Sequence, residues 1–210
     1  MYKNLSVLSH WNISNTDIYV LNLKELYDLE TERINIEKTY KVELENIHAP
    51  KKRLEFISAR IAHHFVFQHE SKIGYLNCEP HFHEKYSLSI SHCEDYIGLA
   101  YSSTHKIGID LEKASSRIER IKNKILNEDE DAYYSTLSNT EQFDYLNKIW
   151  TAKEACYKAC NTNFFSFKKY FSHHILEENS TCYISETKEN FNLYFKQIEK
   201  FYFCLAILSE

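Results

Sequence analysis

The alternation of apolar and polar residues along the chain predicts a fold built from both strands and helices. Residues 17–23 are rich in β-forming side chains, and residues 86–90, 96–102 and 107–112 alternate as half-buried strands do. The last part of the chain contains three more such runs, at 182–185, 191–195 and 201–208. These runs predict an antiparallel meander.

Apolar residues at three- and four-residue spacing predict the helices. The first clear helix covers 51–68 after Pro50, with the stripe Leu54, Ile57, Ile61 and Phe65. A second is predicted over 118–126. A third starts at the capping-box pattern of 138–141 and carries the stripe Ile149, Ala152, Cys156 and Ala159. Residues 24–45 are charged and indicate helix and loop.

These elements predict an α+β fold with two halves of similar plan. The predicted boundaries are 1–104 and 105–210. Each half combines a small, mostly antiparallel sheet with helices. The similarity at this level is one of element pattern alone, without a repeated sequence.

Composition indicates an ordered globular protein and excludes several functional classes. Of the 210 residues, 43% are hydrophobic, yet no apolar run is long enough to span a bilayer. The N-terminal residues lack the pattern of a signal peptide, so we expect a cytoplasmic protein. The six cysteines contain no Cys-x-x-Cys pair and are interpreted as reduced thiols that pack as apolar residues. The net charge of −5 argues against a general nucleic-acid binder.

The glycine count restricts how the protein could handle phosphate. Gly74, Gly98 and Gly108 are the only glycines, so the chain has no glycine-rich phosphate loop of the Rossmann or Walker type. A phosphate ligand would therefore have to be held by a metal and by basic side chains.

The strand at 107–112 places two carboxylates on one face. Because side chains alternate across a strand, Gly108, Asp110 and Glu112 share one face, and the Cα atoms of the two acids are roughly 6 to 7 Å apart. Like charges at this spacing favour a cation beside them, and a hard divalent ion is the simplest candidate. The alternative is a half-exposed strand with two solvated acids.

Charged residues on three predicted helices can each be interpreted either as ordinary surface charge or as part of a binding site. Arg53 and Arg60 lie two turns apart and are either a solvated face or an anion-binding face. The helix over 118–126 carries basic residues that are either ordinary surface charge or a docking face for an acidic partner: Arg117, Arg120, Lys122 and Lys124. Glu154 and Lys158, four residues apart, form at minimum a surface ion pair.

Three blocks together resemble the signature of the 4′-phosphopantetheinyl transferase superfamily. They are Ser-Ile-Ser-His at 89–92, Gly-Ile-Asp-Leu-Glu at 108–112 and Trp-Thr-Ala-Lys-Glu-Ala-Cys-Tyr-Lys at 150–158. The order and spacing match the family, and the resemblance covers roughly 50–175. The chain length resembles the longer, surfactin-synthetase-activating type. That type implies a monomer with two related halves and an active site at their interface.

The resemblance implies an activity and its co-substrates. Members transfer 4′-phosphopantetheine from coenzyme A to a serine of an acidic apo carrier protein and release adenosine 3′,5′-bisphosphate. The implied metal is Mg²⁺, with Mn²⁺ as a substitute. Coenzyme A and the carrier protein are the implied partners, with no nucleic acid and no membrane.

The resemblance also implies roles for individual residues. Asp110, Glu112 and Glu154 would hold the metal, and Glu154 would also act as general base, directly or through water. Lys158 would stabilise the pyrophosphate and the leaving group. The implied coenzyme A contacts are His92 on the 3′-phosphate and, for binding, Arg53, Lys52 and Ser91, with Lys51 as an alternative to Lys52. No role follows for Lys153.

The sequence departs from the family pattern at two places. Cys78-Glu79-Pro80 stands where many relatives have Gly-Lys-Pro, so an acid replaces a phosphate-binding base, and Cys93 follows His92 where a hydroxyl residue is common. Two other hypotheses stay open: a weak or inactive relative that binds carrier or coenzyme A without transfer, and an unrelated Mg²⁺ phosphohydrolase. The second leaves the block at 150–158 unexplained.

Overall fold

A computed structural model describes residues 7–23, 30–67, 73–76, 79–82, 86–160, 166–174 and 180–209. Within these ranges the side chains at positions 30–32, 75, 76, 79, 81 and 82 lie outside the description. The chain divides into two compact units, 1–103 and 104–210. The prediction that two related halves meet at an active site stays a prediction.

The first unit contains an antiparallel sheet and helices. The strands are β1 (Val7–Ile13), β2 (Thr16–Asn22), β3 (Gly74–Leu76), β4 (Glu79–Phe82), β5 (Tyr86–Cys93) and β6 (Tyr96–Ser102), and their order in the sheet is β1-β2-β6-β5-β4-β3. The helices are α1 (Glu30–Thr39), α2 (Lys41–Glu45) and α3 (Pro50–Phe67).

Helix α3 shares a buried core with the sheet of the first unit. Ile57, Ile61 and Ala62 of α3 belong to the same apolar cluster as Leu99 and Tyr101 of β6. The predicted stripe is confirmed at Ile57 and Ile61, whereas Leu54 is exposed. Leu54 lies in the first turns of the helix, before the turns that contribute buried residues to the core.

The second unit contains the other antiparallel sheet. Its strands are β7 (Ile107–Lys113), β8 (Phe171–His174), β9 (Thr181–Ile184), β10 (Glu189–Ile198) and β11 (Phe201–Leu208), in the order β7-β11-β10-β9-β8. The three strands of the predicted meander are β9, β10 and β11. The two antiparallel sheets with their helices confirm the predicted α+β class.

The helices of the second unit include one long helix beside this sheet. They are α4 (Lys122–Ile125), α5 (Glu128–Tyr134), α6 (Asn139–Cys160) and α7 (Phe167–Tyr170), preceded by a 3₁₀ helix at Ser116–Ile121. The predicted helix over 118–126 is therefore a 3₁₀ segment followed by one short α-helical turn. Helix α6 begins as predicted, because the backbone N–H of Ser138 donates to Glu141 Oε2 at 2.9 Å. Among the described residues, no helix is both long and apolar enough to cross a membrane.

Candidate functional site

The strand β7 crosses helix α6 at very short distance, and Gly108 permits this crossing. A Cβ atom added at Gly108 would lie 2.6 Å from the backbone nitrogen of Ala159 and closer still to the carbonyl oxygen of Ala155. Any larger residue would push the strand off the helix. Since Asp110 and Glu112 share the face of Gly108, this crossing directs both acids toward α6.

Asp110 is paired with Lys158 across this crossing. The side chain of Asp110 is 5% exposed, and its Oδ1 lies 2.7 Å from Lys158 Nζ. Lys158 keeps about a quarter of its side chain in solvent, at 28% exposure. The sequence predicts an ion pair between Lys158 and Glu154 on the same helix. In the structure, Lys158 forms an ion pair with Asp110 on the strand β7.

Glu112 is held by Trp150 of α6. The indole Nε1 of Trp150 donates to Glu112 Oε1 at 3.0 Å. The Trp150 ring in turn packs edge-on against Phe167, with the ring centroids 5.7 Å apart. The sequence placed Trp150 one turn before Glu154 but gave no sign that its indole would orient Glu112.

Glu154 has a raised pKa. Burial, together with the negative charges of Asp110 and Glu112, raises its pKa from 4.5 to about 7, although Lys158 acts in the opposite direction. Burial is the larger cause because a desolvated carboxylate loses the hydration that stabilises its charge. Asp110 and Glu112 are thus close enough to act electrostatically on Glu154, which the strand and helix patterns alone could not establish.

These donors fit a hard divalent cation in their chemistry. Three carboxylates are the ligand type that Mg²⁺ prefers, and a cation would offset the negative charges of Asp110 and Glu112, which add to the effect of burial on the pKa of Glu154. In the described part of the chain, however, the three carboxylates do not gather to within 4.8 Å of one another. The cation that the structure places against Asp110 is the Lys158 ammonium group.

Lys153 has a structural role that the sequence did not reveal. Its side chain is fully buried, and its Nζ lies 2.6 Å from Glu130 Oε2 and donates to the carbonyl oxygen of Ile125 at 2.6 Å. Lys153 and Glu154 are adjacent in the sequence, yet they enter different environments on α6.

In the first unit, two of the predicted coenzyme A contacts line one cavity. Lys52 and His92 both border a cavity of about 390 Å³, whose other lining residues are Ile47, Glu55, Phe56, Ala59, Pro80 and Ile90. Lys52 Nζ also lies 3.0 Å from Glu55 Oε2, and Lys51 Nζ lies 3.7 Å from Glu55 Oε1. The lysine head group is thus held at the rim by a neighbour on its own helix.

The other two predicted contacts, Arg53 and Ser91, do not line this cavity. Arg53 Nη1 donates to the carbonyl oxygen of Leu44 at 2.8 Å, so the side chain caps the end of α2. Ser91 is buried, and it follows from the alternation along β5 that its side chain lies on the face opposite to His92. The departure from the family pattern at Cys78 and Glu79 is not described by the structure, because residue 78 and the side chain of Glu79 lie outside the described ones.

Arg60 satisfies neither interpretation offered by the sequence. It is 2% exposed, and its guanidinium carbon lies 3.1 Å from the ring centroid of Phe56 and 4.5 Å from that of Tyr40. The residue is a buried cation on aromatic faces. Tyr40, its second aromatic partner, lies in the stretch 24–45, for which the sequence indicated only helix and loop.

Of the four basic residues in the segment after β7, three are exposed and one contacts other residues of the unit. Arg117, Arg120 and Lys124 are exposed, whereas Lys122 lies 2.9 Å from Asp131 and 4.5 Å from the ring of Tyr134. Lys122 is therefore engaged within the unit. Of the four basic residues predicted to form a docking face, Arg117, Arg120 and Lys124 are the exposed ones.

Residues 106–206 match the family model of the 4′-phosphopantetheinyl transferase superfamily. This segment is 101 of the 210 residues, and it is similar to that superfamily. It contains the strand β7 and the helix α6, and therefore all four of Asp110, Glu112, Glu154 and Lys158. The match bears out the predicted resemblance to the superfamily over this segment. The longer two-half type stays a prediction.

Several solved structures are also similar to the chain. The holo-(acyl-carrier-protein) synthase of Thermotoga maritima has 19% identity and a TM-score of 0.42, and the alignment covers 50% of this chain and 63% of that one. The Bacillus anthracis synthase, solved in complex with CoA (3′,5′-ADP), has 23% identity and a TM-score of 0.42, with coverage of 49% and 94%. The Neisseria meningitidis synthase has 19% identity and a TM-score of 0.41, with coverage of 50% and 98%. The alignment thus spans less than two thirds of the Thermotoga chain, and no curated protein sequence matches the chain.

Proposed function

We propose that the protein transfers 4′-phosphopantetheine from coenzyme A to a serine hydroxyl of an apo carrier protein, with Mg²⁺, and releases adenosine 3′,5′-bisphosphate. The observation that carries this proposal is the electrostatic group of Asp110, Glu112, Glu154 and Lys158 within the segment that matches the superfamily. Attack on a pyrophosphate needs both a base for the nucleophile and positive charge for the leaving group. The group supplies both.

Glu154 is suited to act as the general base. In the metal-free protein, a pKa of about 7 means that a substantial fraction of the carboxyl is ionised at neutral pH while it still binds a proton readily. In the proposed reaction Glu154 accepts the proton of the carrier serine, directly or through one water. The Trp150 hydrogen bond keeps Glu112 in place beside it.

Asp110, Glu112 and Glu154 would together hold Mg²⁺, with Mn²⁺ as a substitute. When bound, the ion supplies positive charge to the pyrophosphate oxygens. Lys158 supplies a second positive charge, and its partly exposed ammonium group can reach an anionic ligand in place of Asp110. In this proposal Lys158 neutralises the leaving bisphosphate.

Coenzyme A is the proposed co-substrate. The synthase from Bacillus anthracis was solved with CoA (3′,5′-ADP), and the superfamily match supports the same class of ligand here. Within the first unit, Lys52 and His92 are the predicted contacts that border one cavity, so we assign them to the nucleotide phosphates. Arg53 and Ser91 stay proposals with weaker support, because Arg53 caps α2 and Ser91 faces away.

The carrier protein is proposed to be acidic and to bind with the help of the exposed side chains of Arg117, Arg120 and Lys124. The cysteines at 93, 156, 160, 182 and 204 are free thiols, which supports a reducing compartment such as the cytoplasm. A monomeric protein is part of the same proposal and is tested by sedimentation of the purified chain.

The proposal is tested by incubating the purified protein with coenzyme A, Mg²⁺ and apo carriers of fatty-acid, polyketide and peptide type. We expect the mass of at least one carrier to rise by one phosphopantetheine, the rise to stop with a chelator, and Mg²⁺ or Mn²⁺ to restore it. No mass gain on any carrier would refute the transferase. Hydrolysis of coenzyme A without carrier modification would favour the phosphohydrolase, and tight coenzyme A binding without either reaction would favour the inactive relative.

A further inference from the structure

A second group of potential metal ligands includes a residue of helix α6 that lies about 200° around the helix from Glu154. It consists of Cys156 on α6, His173 on β8 and Cys182 on β9, with one ligand atom from each residue within 4.8 Å of the others. Among the residues that the structure describes, it is the one group of three or more His, Cys, Asp or Glu residues whose ligand atoms all lie within 4.8 Å of one another. No residue of this group takes part in the proposed transfer reaction.

Hydrogen bonds to Glu130 orient His173 and its imidazole ring in a way that suits a metal ligand. Its Nδ1 lies 3.2 Å from Glu130 Oε1, and its backbone N–H donates to the same oxygen at 3.1 Å. Because an ionised carboxylate only accepts hydrogen bonds, Nδ1 carries the ring proton. The other ring nitrogen, Nε2, is fully buried, and among the described residues it has no nitrogen or oxygen partner for a hydrogen bond.

The carboxylate behind His173 is itself fixed. Glu130 Oε2 accepts from Lys153 Nζ at 2.6 Å and from the backbone N–H of Asn127 at 2.8 Å. A carboxylate that bonds one imidazole nitrogen fixes the tautomer and the ring orientation and leaves the second nitrogen for a metal, an arrangement that recurs behind metal-bound histidines. Lys153 also cancels the charge of Glu130, so the pair adds no net charge to the core.

We propose that Cys156, His173 and Cys182 form a buried zinc site that ties helix α6 to the sheet strands β8 and β9. Two thiolates and one imidazole are soft to borderline donors, which select zinc over Mg²⁺. Two thiolates also balance the charge of a divalent ion, so the occupied site is neutral in an apolar core. Three protein ligands of the Cys and His types form a known zinc donor set.

The observed spacing is close to that of a zinc site. Zn–S bonds of about 2.3 Å and Zn–N bonds of about 2.0 Å place tetrahedral ligand atoms roughly 3.5 to 3.8 Å apart. Separations of at most 4.8 Å therefore need shifts of about one ångström. The surrounding residues Ala152, Phe171 and Ile184 are buried in the same apolar cluster, so the ion would enter as the chain folds.

The test uses the full chain, refolded with either zinc or a chelator and then desalted. We expect one equivalent of zinc per chain after refolding with zinc, and a higher thermal midpoint than for the chelated protein. Cobalt in place of zinc should give thiolate-to-cobalt charge-transfer absorption, which a carboxylate site cannot produce. Cys182→Ser should lose both the zinc equivalent and the absorption.

The matched control is Cys160→Ser. Cys160 is a buried thiol one turn after Cys156 on the same helix, in the same apolar cluster but outside the ligand group. This variant should keep the zinc equivalent and the cobalt absorption, and Asp110→Asn should keep both as well. If Cys182→Ser fails to fold, the cobalt spectrum of the wild-type chain still decides the question.

Two results would overturn the zinc site. One is a folded wild-type protein that retains no zinc and gives no thiolate-to-cobalt band. The other is a disulfide between Cys156 and Cys182 in the protein purified without reductant, with no metal bound after reduction. Activity of the transferase is not needed for either readout.

Discussion

Two charged groups with opposite properties lie beside helix α6, and each includes one residue or more of that helix. On one side, Asp110, Glu112 and Glu154 accumulate negative charge, and the pKa of Glu154 is raised to about 7. On the other side, Lys153 and Glu130 form a fully buried pair. Burial alone would raise the pKa of Glu130, but the hydrogen bond from His173 and the charge of Lys153 outweigh it and lower the pKa. The first group is poorly compensated and suited to bind a cation, whereas the second is fully compensated and holds the fold.

The comparison assigns different roles to adjacent motif residues. Lys153 and Glu154 stand side by side in the block at 150–158, and a 100° turn of the helix sends them to different sides. A substitution at Lys153 should therefore act on stability, and one at Glu154 should act on chemistry.

The largest expected effect follows from replacing Lys153 by Met. The change leaves Glu130 buried without its cation, and breaking such a pair costs about 3–5 kcal/mol of folding free energy. Urea unfolding of the purified variant measures this cost. Lys148→Met on the same helix is the matched control, because its pair with Asp144 is partly exposed and worth about 0.5 kcal/mol or less. Equal stability losses in the two variants would contradict the structural role of Lys153.

A smaller loss is expected for Gly108→Ala, which tests the crossing that brings the two elements together. The added methyl group meets the backbone of α6 at Ala155 and Ala159, so strand and helix must separate, at a cost of about 1–3 kcal/mol. Transfer activity should fall as well, because Asp110 and Glu112 move with the strand. Thermal melting and the transfer assay measure the two effects. Wild-type values in both would show that the crossing has no influence on the site.

The pH dependence of stability separates the two groups without any activity assay. In the metal-free protein, folded Glu154 keeps its proton up to about pH 7, whereas the unfolded chain releases it near the ordinary pKa of 4.5. The folded state therefore binds more protons in this window, and stability falls as pH rises through it. Glu154→Gln should remove this part of the fall.

The opposite sign is expected for Glu130. Because the folded-state pKa of Glu130 is lowered, its contribution is present above the unfolded pKa and is lost as the solution is acidified through the folded pKa. Unfolding curves of wild type and Glu154→Gln across roughly pH 3 to 8 make the comparison, because the Glu130 contribution is lost below its ordinary pKa of 4.5 and the Glu154 contribution between 4.5 and about 7. Parallel curves for wild type and Glu154→Gln would contradict the perturbed acidity of Glu154.

The smallest expected effect concerns carrier docking. Charge reversal at Arg120 should slow transfer by at most about 10-fold at low salt and reduce the salt dependence of the rate, since exposed charges act through a screened field. Lys41→Glu is the control, because this exposed lysine lies in the first unit and outside the proposed docking face. If the transfer rates of the wild type and the Arg120 variant depend on salt concentration in the same way, Arg120 does not steer the carrier.

The sequence predicted those parts of the fold in which an apolar pattern records burial. The strand at 107–112, the meander and helix α6 follow from local periodicity. The strand β1 did not, because its residues are mostly exposed at the edge of the sheet and carry little apolar alternation. The break between the 3₁₀ segment and α4 depends on packing that a stripe of isoleucines does not reveal.

The candidate site was predictable in composition but not in its contacts. The motif resemblance named Asp110, Glu112, Glu154 and Lys158, yet the pairing of Lys158 with Asp110 joins residues 48 positions apart. The same holds for the Trp150 bond to Glu112, and for the bond between Lys153 and Glu130. Such contacts depend on how β7, α5 and α6 pack, and a single sequence contains no direct record of that packing.

The central claim is that the carboxylate side of α6 performs the transfer, and Asp110→Asn tests it most directly. The substitution keeps the shape of the side chain and removes the charge that faces Lys158 and the proposed metal. We predict that the rate of carrier modification, followed by mass spectrometry with coenzyme A and Mg²⁺, falls by at least about 100-fold while the thermal midpoint changes little. A folded Asp110→Asn protein that modifies the carrier at the wild-type rate would contradict the account.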